Sequence, residues 1–527
     1  MRKLIYLFLI LSVGLVVSCK KDNKSDNNGN NTIAPSKTGS TLDLIRDSVY
    51  LYSKEAYLWY DGLPEYAAFN PRSISGSNDL SALVNEVDKI SQYKINPATG
   101  KPYEFYESSP GEAKYSFIDE GGTSTQLNGV NGDFGFAPLY NLANDLRVKF
   151  VYAGSPAGLA GMKRGDQITK INGRTSLTYD TNVSGGGPNV DFAVDAIYNK
   201  STVAMTLKRT NGTSYDVTLN VTNYNVDPVI VSKVIDLGNG KRVGYIVFNT
   251  FVSPEVAKPK LQAAFNLFTS SPITDLVVDF RYNGGGYVST AEYISNLIVP
   301  TAKNGTTMYT TYYNDKLAGY TPATRQSSIL ANQVRKDPSN NTTYNYAQFD
   351  YSPDVVKFEK AGSLNNLSNV FFIVGGNTAS ASELVINNLR AVMNSNVKLI
   401  GKKTYGKPVG FFDIKINKYE LFVTEFVTKN SAGQGDYFDG MQPGTAAYPG
   451  YDDYDDVTKE FGDPAEGLLA HALNYLRTGT YMSQTQTGQS VDVGLRSFSA
   501  VQSRDMRLKL DDHKFNGMIH DKPLKLK

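Results

Sequence analysis

Three apolar segments of this 527-residue chain each run directly into a turn of glycine and polar residues. They are residues 276–280, followed by 281–286; residues 369–374, followed by 375–380; and residues 398–400, followed by 401–407. Short continuous apolar runs that end at turn residues are typical of buried strands, and helical patterns lie between them. Residues 227–478 therefore predict an α/β domain. Within it, we interpret the long polar stretch at 301–367 as an insertion or an extended loop.

Two further domains precede this one. A chain of this length corresponds to about three domains, and its 41% of hydrophobic residues is enough for several cores. Residues 41–118 predict a small helical domain, because Ser40 and Asp43 have the spacing of a capping box and apolar residues follow at helical intervals. Residues 119–226 change to short strands and glycine turns, with Asn211-Gly212 as a hairpin signal. The predicted fold class is multidomain α/β and β: a helical unit, a β-domain and an α/β domain.

The N-terminus predicts an exported protein with a lipid anchor. The apolar run at 4–17 is short for a membrane span of about 20 residues but fits the core of a signal peptide. It ends beside Cys19, the only cysteine, in a pattern that resembles a bacterial lipobox. We therefore expect residues 1–19 to be a lipoprotein signal peptide, Cys19 to carry fatty acyl chains such as palmitate, and 20–40 to be a flexible tether. The expected location is the bacterial cell envelope, at a membrane; a plain secretory signal is the alternative.

Scarce residue types exclude several classes of function. A structural zinc site needs about four ligands, and one cysteine with three histidines near the C-terminus cannot supply them in one place. We expect no metal and no cofactor. A formal net charge of +2 gives no general electrostatic reason to bind nucleic acid. The acidic run at 452–456 lacks the ligand spacing of a known calcium loop and is expected to be an exposed loop.

Ser380 lies on a turn at the predicted start of a helix, where unpaired backbone N–H groups favour negative charge. A serine at this position is most often an N-cap, so this signal alone leaves both interpretations open. The triple glycine at 284–286 is equally ambiguous, since it suits a tight turn or a close approach of backbone to a ligand. No G-x-S-x-G motif occurs, which excludes an ordinary α/β-hydrolase.

Longer strings carry a resemblance to known families. Residues 154–173 (GSPAGLAGMKRGDQITKING) resemble a PDZ domain, which binds an extended C-terminal peptide as an added strand. Residues 279–286 (DFRYNGGG), 378–383 (TASASE) and 404–407 (TYGK) are similar, in order and spacing, to the C-terminal processing peptidases, also called tail-specific proteases. Members of that family are exported Ser-Lys serine peptidases in which a PDZ domain precedes the catalytic domain. The resemblance covers most of residues 42–478.

The resemblance implies that Ser380 is the nucleophile and Lys407 the general base, which suits a chain with so few histidines. Rival candidates are Ser382 as nucleophile and Lys402 or Lys403 as base. Ser382 lies roughly 200° around the predicted helix from Ser380, and the adjacent lysine pair is expected to face solvent.

The same resemblance implies the binding groups of the site. The oxyanion hole would combine the N–H of Ala381 with that of Gly285 or Gly286. Gly135 and Phe136 would form the PDZ loop that holds the terminal carboxylate. The implied partners are proteins or peptides with free C-terminal tails.

Two departures from the family leave alternatives open. Phe411 stands where the family often has a Gln that orients the lysine, and Lys407 follows Ser380 by 27 positions, about two more than usual. A peptide-binding scaffold lipoprotein without activity is therefore one alternative to an endopeptidase, and a glycan-binding surface lipoprotein is another. Residues 479–527 form a polar and then basic tail, to which the sequence assigns no structure.

Overall fold

The computed structural model describes residues 35–180, 187–337, 341–482, 517–521 and 526. Cys19, the predicted signal peptide at 1–19 and most of the predicted tether at 20–40 lie outside the described residues. No helix in the described part of the chain is both long enough and apolar enough to cross a membrane.

The first domain is built around two amphipathic helices. Its elements are α1 (Thr41–Ala56), α2 (Tyr66–Phe69), α3 (Asp79–Ser91), β1 (Ile95–Asn96), β2 (Lys101–Pro102) and β3 (Phe117–Asp119). The Asp43 N–H donates to the Ser40 hydroxyl at 3.1 Å and the Ser40 N–H donates to the Asp43 carboxylate at 3.0 Å, so the predicted capping box is confirmed. Strand β3 pairs with Tyr419–Phe422 of the α/β domain, which ties the two domains together.

The second domain is a small β-structure with its own apolar core. Its elements are α4 (Gly122–Leu127), β4 (Val130–Asp133), β5 (Phe136–Leu142), β6 (Asp145–Val151), α5 (Pro156–Leu159), β7 (Gln167–Ile171), α6 (Pro188–Tyr198), β8 (Thr202–Lys208), β9 (Ser214–Asn220) and β10 (Thr222–Asn225). Strands β5 to β9 form one sheet in chain order, so β5 lies at an edge of the described sheet. The predicted hairpin at Asn211-Gly212 is confirmed by the pairing of Lys208 with Ser214.

The third domain is the largest of the three. Its elements are β11 (Val229–Gly238), β12 (Lys241–Phe248), α7 (Pro254–Ser270), β13 (Asp275–Asp279), β14 (Gly285–Tyr287), α8 (Val288–Ile298), β15 (Thr307–Tyr313), α9 (Asp315–Ala318), α10 (Pro322–Ser327), β16 (Val334–Lys336), β17 (Thr343–Asn345), β18 (Asp354–Lys357), β19 (Asn369–Val374), α11 (Ala381–Met393), β20 (Val397–Gly401), β21 (Val409–Gly410), β22 (Ile414–Ile416), β23 (Tyr419–Phe422), β24 (Phe426–Asn430), β25 (Gly450–Asp452), α12 (Gly467–Thr478) and β26 (Gly517–Ile519).

A six-stranded sheet organises this domain. Its order is β11-β12-β13-β19-β20-β25, and every neighbouring pair except β11 with β12 is parallel. Both faces are buried: Ile246, Val278 and Phe372 face one apolar cluster, whereas their chain neighbours face the other. This explains why these strands are continuous apolar runs in the sequence.

The carboxyl ends of β13, β19 and β20 meet at one edge of the sheet because the three strands are parallel neighbours. The turns at 281–286, 375–380 and 402–407 leave from this edge. They are joined directly: the Ala379 N–H donates to the Asn283 carbonyl at 3.1 Å, and the Tyr405 N–H donates to the Thr378 carbonyl at 2.9 Å. The sheet therefore brings the three predicted chemical segments together.

Residues 301–367 are not an extended loop, because they contain strands and helices; whether they are an insertion stays a prediction. Strand β15 lies at the centre of a second sheet of order β18-β15-β24-β21. Its sequence is Thr- and Tyr-rich and looks polar, but these residue types are strong strand formers.

Candidate active site

Ser380 occupies a strained turn at the start of α11. Its φ of 58° and ψ of −108° are uncommon for a residue other than glycine. The side chain is fully buried, and among the described residues Oγ has no hydrogen-bond partner. Ser380 is thus the N-cap residue of α11 by position, but its hydroxyl makes no capping hydrogen bond. A strained backbone that holds an unpaired hydroxyl is typical of a functional position.

Glu383 joins the serine turn to the lysine turn. Its Oε2 accepts hydrogen bonds from the backbone N–H groups of Ser380 and Lys407, each at 2.8 Å. Its Oε1 accepts from the Gly406 N–H at 2.8 Å and from the Thr404 hydroxyl. Burial raises the pKa of the Glu383 carboxyl, and these four donors oppose the rise. One buried carboxylate thus fixes the backbones of Ser380 and Lys407 next to each other.

Lys407 is fully buried beside this turn. Its Nζ donates to the Tyr115 carbonyl at 3.2 Å and lies 4.1 Å from the ring centroid of Phe411. Burial lowers the pKa of Lys407 well below its ordinary value, although the nearby carboxylates of Glu104 and Glu383 favour the charged form. Phe411 therefore contacts the lysine directly, at the position where the resembled family often has Gln.

The helical domain contributes to this site, which the sequence did not indicate. Tyr115 supplies the carbonyl for Lys407 and donates its hydroxyl to the Gly406 carbonyl at 2.6 Å. Glu104 is fully buried and accepts from the N–H groups of Tyr115 and Ser116 at 3.0 and 2.7 Å. The only signal for Glu383 was its capping-box spacing from Ser380; nothing local pointed to Glu104 or Tyr115.

The rival residues are engaged elsewhere. The Ser382 hydroxyl donates to the Asn283 carbonyl at 3.1 Å. Lys402 pairs with Asp452 and Lys403 with Asp439, each at 3.0 Å. Both lysine ammonium groups are thus engaged in ion pairs.

The glycine turn brings backbone close to the start of α11. Gly285 has φ of 108° and Gly286 has φ of 135°, and a Cβ on Gly286 would lie 2.2 Å from the Phe251 carbonyl oxygen. The Gly285 N–H donates to Asn283 Oδ1 at 2.9 Å. It is therefore engaged within the turn, which leaves Gly286 as the other predicted oxyanion donor. A Cβ on Gly285 would lie 3.1 Å from the Ala381 nitrogen, which places this turn against the other predicted donor.

Two segments of the chain match known family models. Residues 242–440 match the model of peptidase family S41, and residues 147–184 match the model of the PDZ domain. Over residues 242–440, the chain is thus similar to peptidase family S41. The resemblance to tail-specific proteases with a PDZ domain is thereby confirmed.

Two curated relatives match this chain. It is 27% identical over 254 residues to the carboxy-terminal processing protease CtpA of Bacillus subtilis (strain 168), across 48% of this chain and 42% of the relative. It is 32% identical over 142 residues to the carboxy-terminal processing protease CtpB of the same organism, across 27% of each. The matches thus span less than half the length of either relative.

A solved S41 structure has the same fold. The crystal structure of a protein described as an S41 protease from Bacteroides fragilis NCTC 9343 matches with a TM-score of 0.54. The match covers 85% of this chain and 99% of that one at 21% sequence identity. At this identity, the likeness concerns the fold alone.

In the PDZ domain, the predicted peptide-binding loop is tightly packed. Gly135 has φ of 80°, and a Cβ there would lie 1.8 Å from Ser155 Cβ. The Gly135 N–H donates to Asp133 Oδ1 at 2.7 Å, and Phe136 begins the edge strand β5. The Gly135 donor must leave Asp133 before it can hold a substrate carboxylate. The binding role of Gly135 and Phe136 stays a prediction.

The prediction that residues 452–456 form an exposed loop is wrong in part. Asp453 is buried and its carboxylate lies 2.9 Å from His471 Nε2. Asp455 pairs with Arg281 at 2.6 Å and with Arg164 of the PDZ domain at 2.7 Å. This buried network connects the PDZ domain to the segment that leads into the glycine turn. Within the described residues, no cluster of three or more potential metal ligands occurs.

Proposed function

We propose that this chain is a serine endopeptidase that uses Ser380 and Lys407 as a catalytic dyad. The observation that carries the proposal is the shared acceptor Glu383 Oε2, which holds both backbones at 2.8 Å while Lys407 is fully buried. A buried lysine with a lowered pKa has a neutral fraction that can accept the serine proton.

In this mechanism, Ser380 Oγ attacks the carbonyl carbon of the scissile peptide bond and its proton passes to neutral Lys407. The N–H groups of Ala381 and Gly286 stabilise the oxyanion. Lys407 then protonates the leaving amine, and water hydrolyses the acyl-enzyme. In this structure Oγ makes no hydrogen bond to any described residue, so Nζ must turn from the Tyr115 carbonyl toward Ser380 in the reacting complex.

Labelling with a fluorophosphonate probe tests this dyad. The wild-type protein should be labelled, Ser380→Ala should not be, and Lys407→Arg should be labelled much more slowly. Ser382→Ala, the rival nucleophile, should still react. No labelling of either protein would favour the inactive scaffold, for which Phe411 was the main argument. Labelling of Ser380→Ala would show that a different residue is the nucleophile.

The proposed substrates are exported proteins or peptides whose free C-termini bind at the PDZ domain. The edge strand β5 supports this, because an extended peptide can pair with a strand that has an open edge. Peptides with a free C-terminal carboxylate should be cleaved faster than the same peptides carrying a C-terminal amide. Equal rates would count against selection by the PDZ domain.

We also propose a lipid anchor at Cys19 and a location at a membrane of the bacterial cell envelope, on the basis of the lipobox pattern alone. In a bacterial host, Cys19→Ser should abolish fatty-acid labelling and membrane association. A variant that still sediments with membranes to the same extent would contradict the anchor.

A further inference from the structure

A short segment of the C-terminal tail lies in the candidate active site. Strand β26 runs parallel to β14, with Gly517 opposite Gly285 and Met518 opposite Gly286. The Gly517 N–H donates to the Gly284 carbonyl at 3.0 Å. The segment therefore extends the edge of the glycine turn as an added strand, which is how proteases and other peptide-binding proteins commonly hold an extended chain.

The other edge of the segment pairs with the residue that contacts Lys407. The Phe411 N–H donates to the Met518 carbonyl at 2.9 Å, and the His520 N–H donates to the Phe411 carbonyl at 2.8 Å. Gly410 allows this approach, because a Cβ there would lie 2.7 Å from the Met518 carbonyl oxygen. The tail thus lies between the glycine turn and the end of the lysine turn.

The carbonyl group of Gly517 lies beside the backbone of the predicted oxyanion hole. Its oxygen is 2.2 Å from the position that a Cβ on Gly285 would occupy, and the Ala381 nitrogen is 3.1 Å from the same position. The missing side chain of Gly285 leaves a space that the Gly517 carbonyl and the Ala381 N–H share. This is where the carbonyl of a scissile bond has to lie for attack by Ser380.

Residues after Gly517 are anchored as well. The Met518 side chain is fully buried in the main apolar cluster. Asp521 accepts hydrogen bonds from the N–H and the hydroxyl of Ser289, at the first turn of α8. The peptide bond that follows Gly517 is thus held on both sides, by the ladder with the glycine turn and by these downstream contacts.

We propose that the chain is its own substrate and that Ser380 cleaves the bond between Gly517 and Met518 within the same molecule. This inference rests on the proposed function. Ser380 Oγ bonds to the Gly517 carbonyl carbon while its proton passes to Lys407, and the carbon–nitrogen bond to Met518 breaks as the nitrogen takes that proton. Water then hydrolyses the ester, which leaves a carboxylate on Gly517, restores Ser380 and releases residues 518–527. Their departure frees the strand position for another peptide.

Mass spectrometry of the intact purified protein tests the cleavage. The wild type should lose the ten C-terminal residues and end at Gly517, whereas Ser380→Ala should keep its full C-terminus. A wild-type chain that stays intact, cleavage at a different bond of the tail, or cleavage of Ser380→Ala would each overturn the inference. Mixing wild type with Ser380→Ala should leave the variant intact at low concentration; cleavage of the variant at the wild-type rate would show that the reaction is not intramolecular.

A matched pair of variants tests the strand position itself. His520→Pro removes the N–H that donates to Phe411, whereas His520→Ala keeps it and removes only the ring. Self-cleavage should slow at least tenfold in the proline variant relative to the alanine variant. Equal rates would overturn the assigned pairing.

The same preparations separate this inference from the proposed function. Labelling by the fluorophosphonate and cleavage of added peptides report on the Ser380-Lys407 dyad. If the protein is labelled and cleaves added peptides but its own tail stays uncleaved, self-processing is refuted and the proposed function is still supported. If both activities are missing, both proposals fail.

Discussion

The surroundings of Lys407 have opposing effects on its pKa. Burial lowers its pKa well below the ordinary value, and the carboxylates of Glu104 and Glu383 oppose this effect. Because only the neutral amine can accept a proton from Ser380, kcat/KM should rise as pH increases through the lowered pKa of Lys407. A rate profile measured on a peptide substrate checks the sign; activity that falls over this range would contradict a lysine base.

Replacement of Lys407 by arginine should reduce kcat by about 100- to 10,000-fold, since a guanidinium stays protonated and general-base catalysis contributes about that much. Lys403→Arg is the matched control, because Lys403 pairs with Asp439 and is partly exposed. The control should keep nearly full activity. Comparable losses in both variants would mean that Lys407 has no special role.

Glu383→Gln should reduce kcat by about 100-fold, because an amide group cannot accept all four hydrogen bonds and the dyad would shift by a fraction of an ångström or more. Steady-state kinetics on a short peptide, with circular dichroism to confirm folding, measures this effect. Glu120→Gln at the surface provides the comparison, since Glu120 pairs only with exposed Lys418 among the described ion pairs. Wild-type kinetics in Glu383→Gln would refute the positioning role.

The turn around Ser380 could be located from sequence because a strand, a turn and a helix follow one another locally. The strain at Ser380 and its unpaired hydroxyl could not, since both depend on packing against other segments. The contact between Tyr115 and Lys407 joins residues 292 positions apart. No local pattern encodes such a contact, so the sequence does not predict that the helical domain contributes to the site.

At the level of elements, the glycine turn passes so close to the backbone of Phe251 that no residue with a side chain fits at Gly286. A Cβ on Gly286 would lie 2.2 Å from the Phe251 carbonyl oxygen, whereas Gly240, also at positive φ, has nothing within 4 Å of its Cβ position. Gly240→Ala should cost only about 1–2 kcal/mol of stability, the strain of a left-handed backbone. Gly286→Ala should lower the thermal midpoint much further and abolish fluorophosphonate labelling. Similar thermal midpoints in the two variants would contradict the steric argument.

Elements with local signals were predictable, and those that depend on partners were not. The capping box at Ser40, the hairpin at Asn211-Gly212 and strand β19 follow from local spacing and turn chemistry. Strand β15 was missed because its Thr and Tyr side chains read as polar, although it lies between β18 and β24. Strand β26 is three residues long and exists only through pairing with β14 and Phe411.

For the molecule as a whole, Arg164 connects the PDZ domain to the α/β domain. Its guanidinium is buried, pairs with Asp455 at 2.7 Å and donates to the Tyr282 hydroxyl at 2.7 Å. Arg164→Met should cost about 3 kcal/mol, and it should produce a separate PDZ unfolding transition in calorimetry. Because the pair is buried, added salt should change the wild-type transition little.

Arg147→Met is the comparison for this prediction, since Arg147 pairs with Asp145 inside the PDZ domain. It should weaken that domain without separating its unfolding from the rest. Identical calorimetric profiles for the two arginine variants would show that Arg164 does not hold the domains together.

The hydrogen bond from Lys407 to the Tyr115 carbonyl joins two residues that the ribosome adds at very different times. Ribosomes add about 5–20 residues per second, so roughly 15–60 s separate the appearance of Tyr115 from that of Lys407, its partner 292 positions later. During this interval, the growing polypeptide has neither the lysine nor the strand β23 that pairs with β3. The proposed dyad therefore cannot form on the ribosome before Lys407 has been synthesised, 27 residues after Ser380.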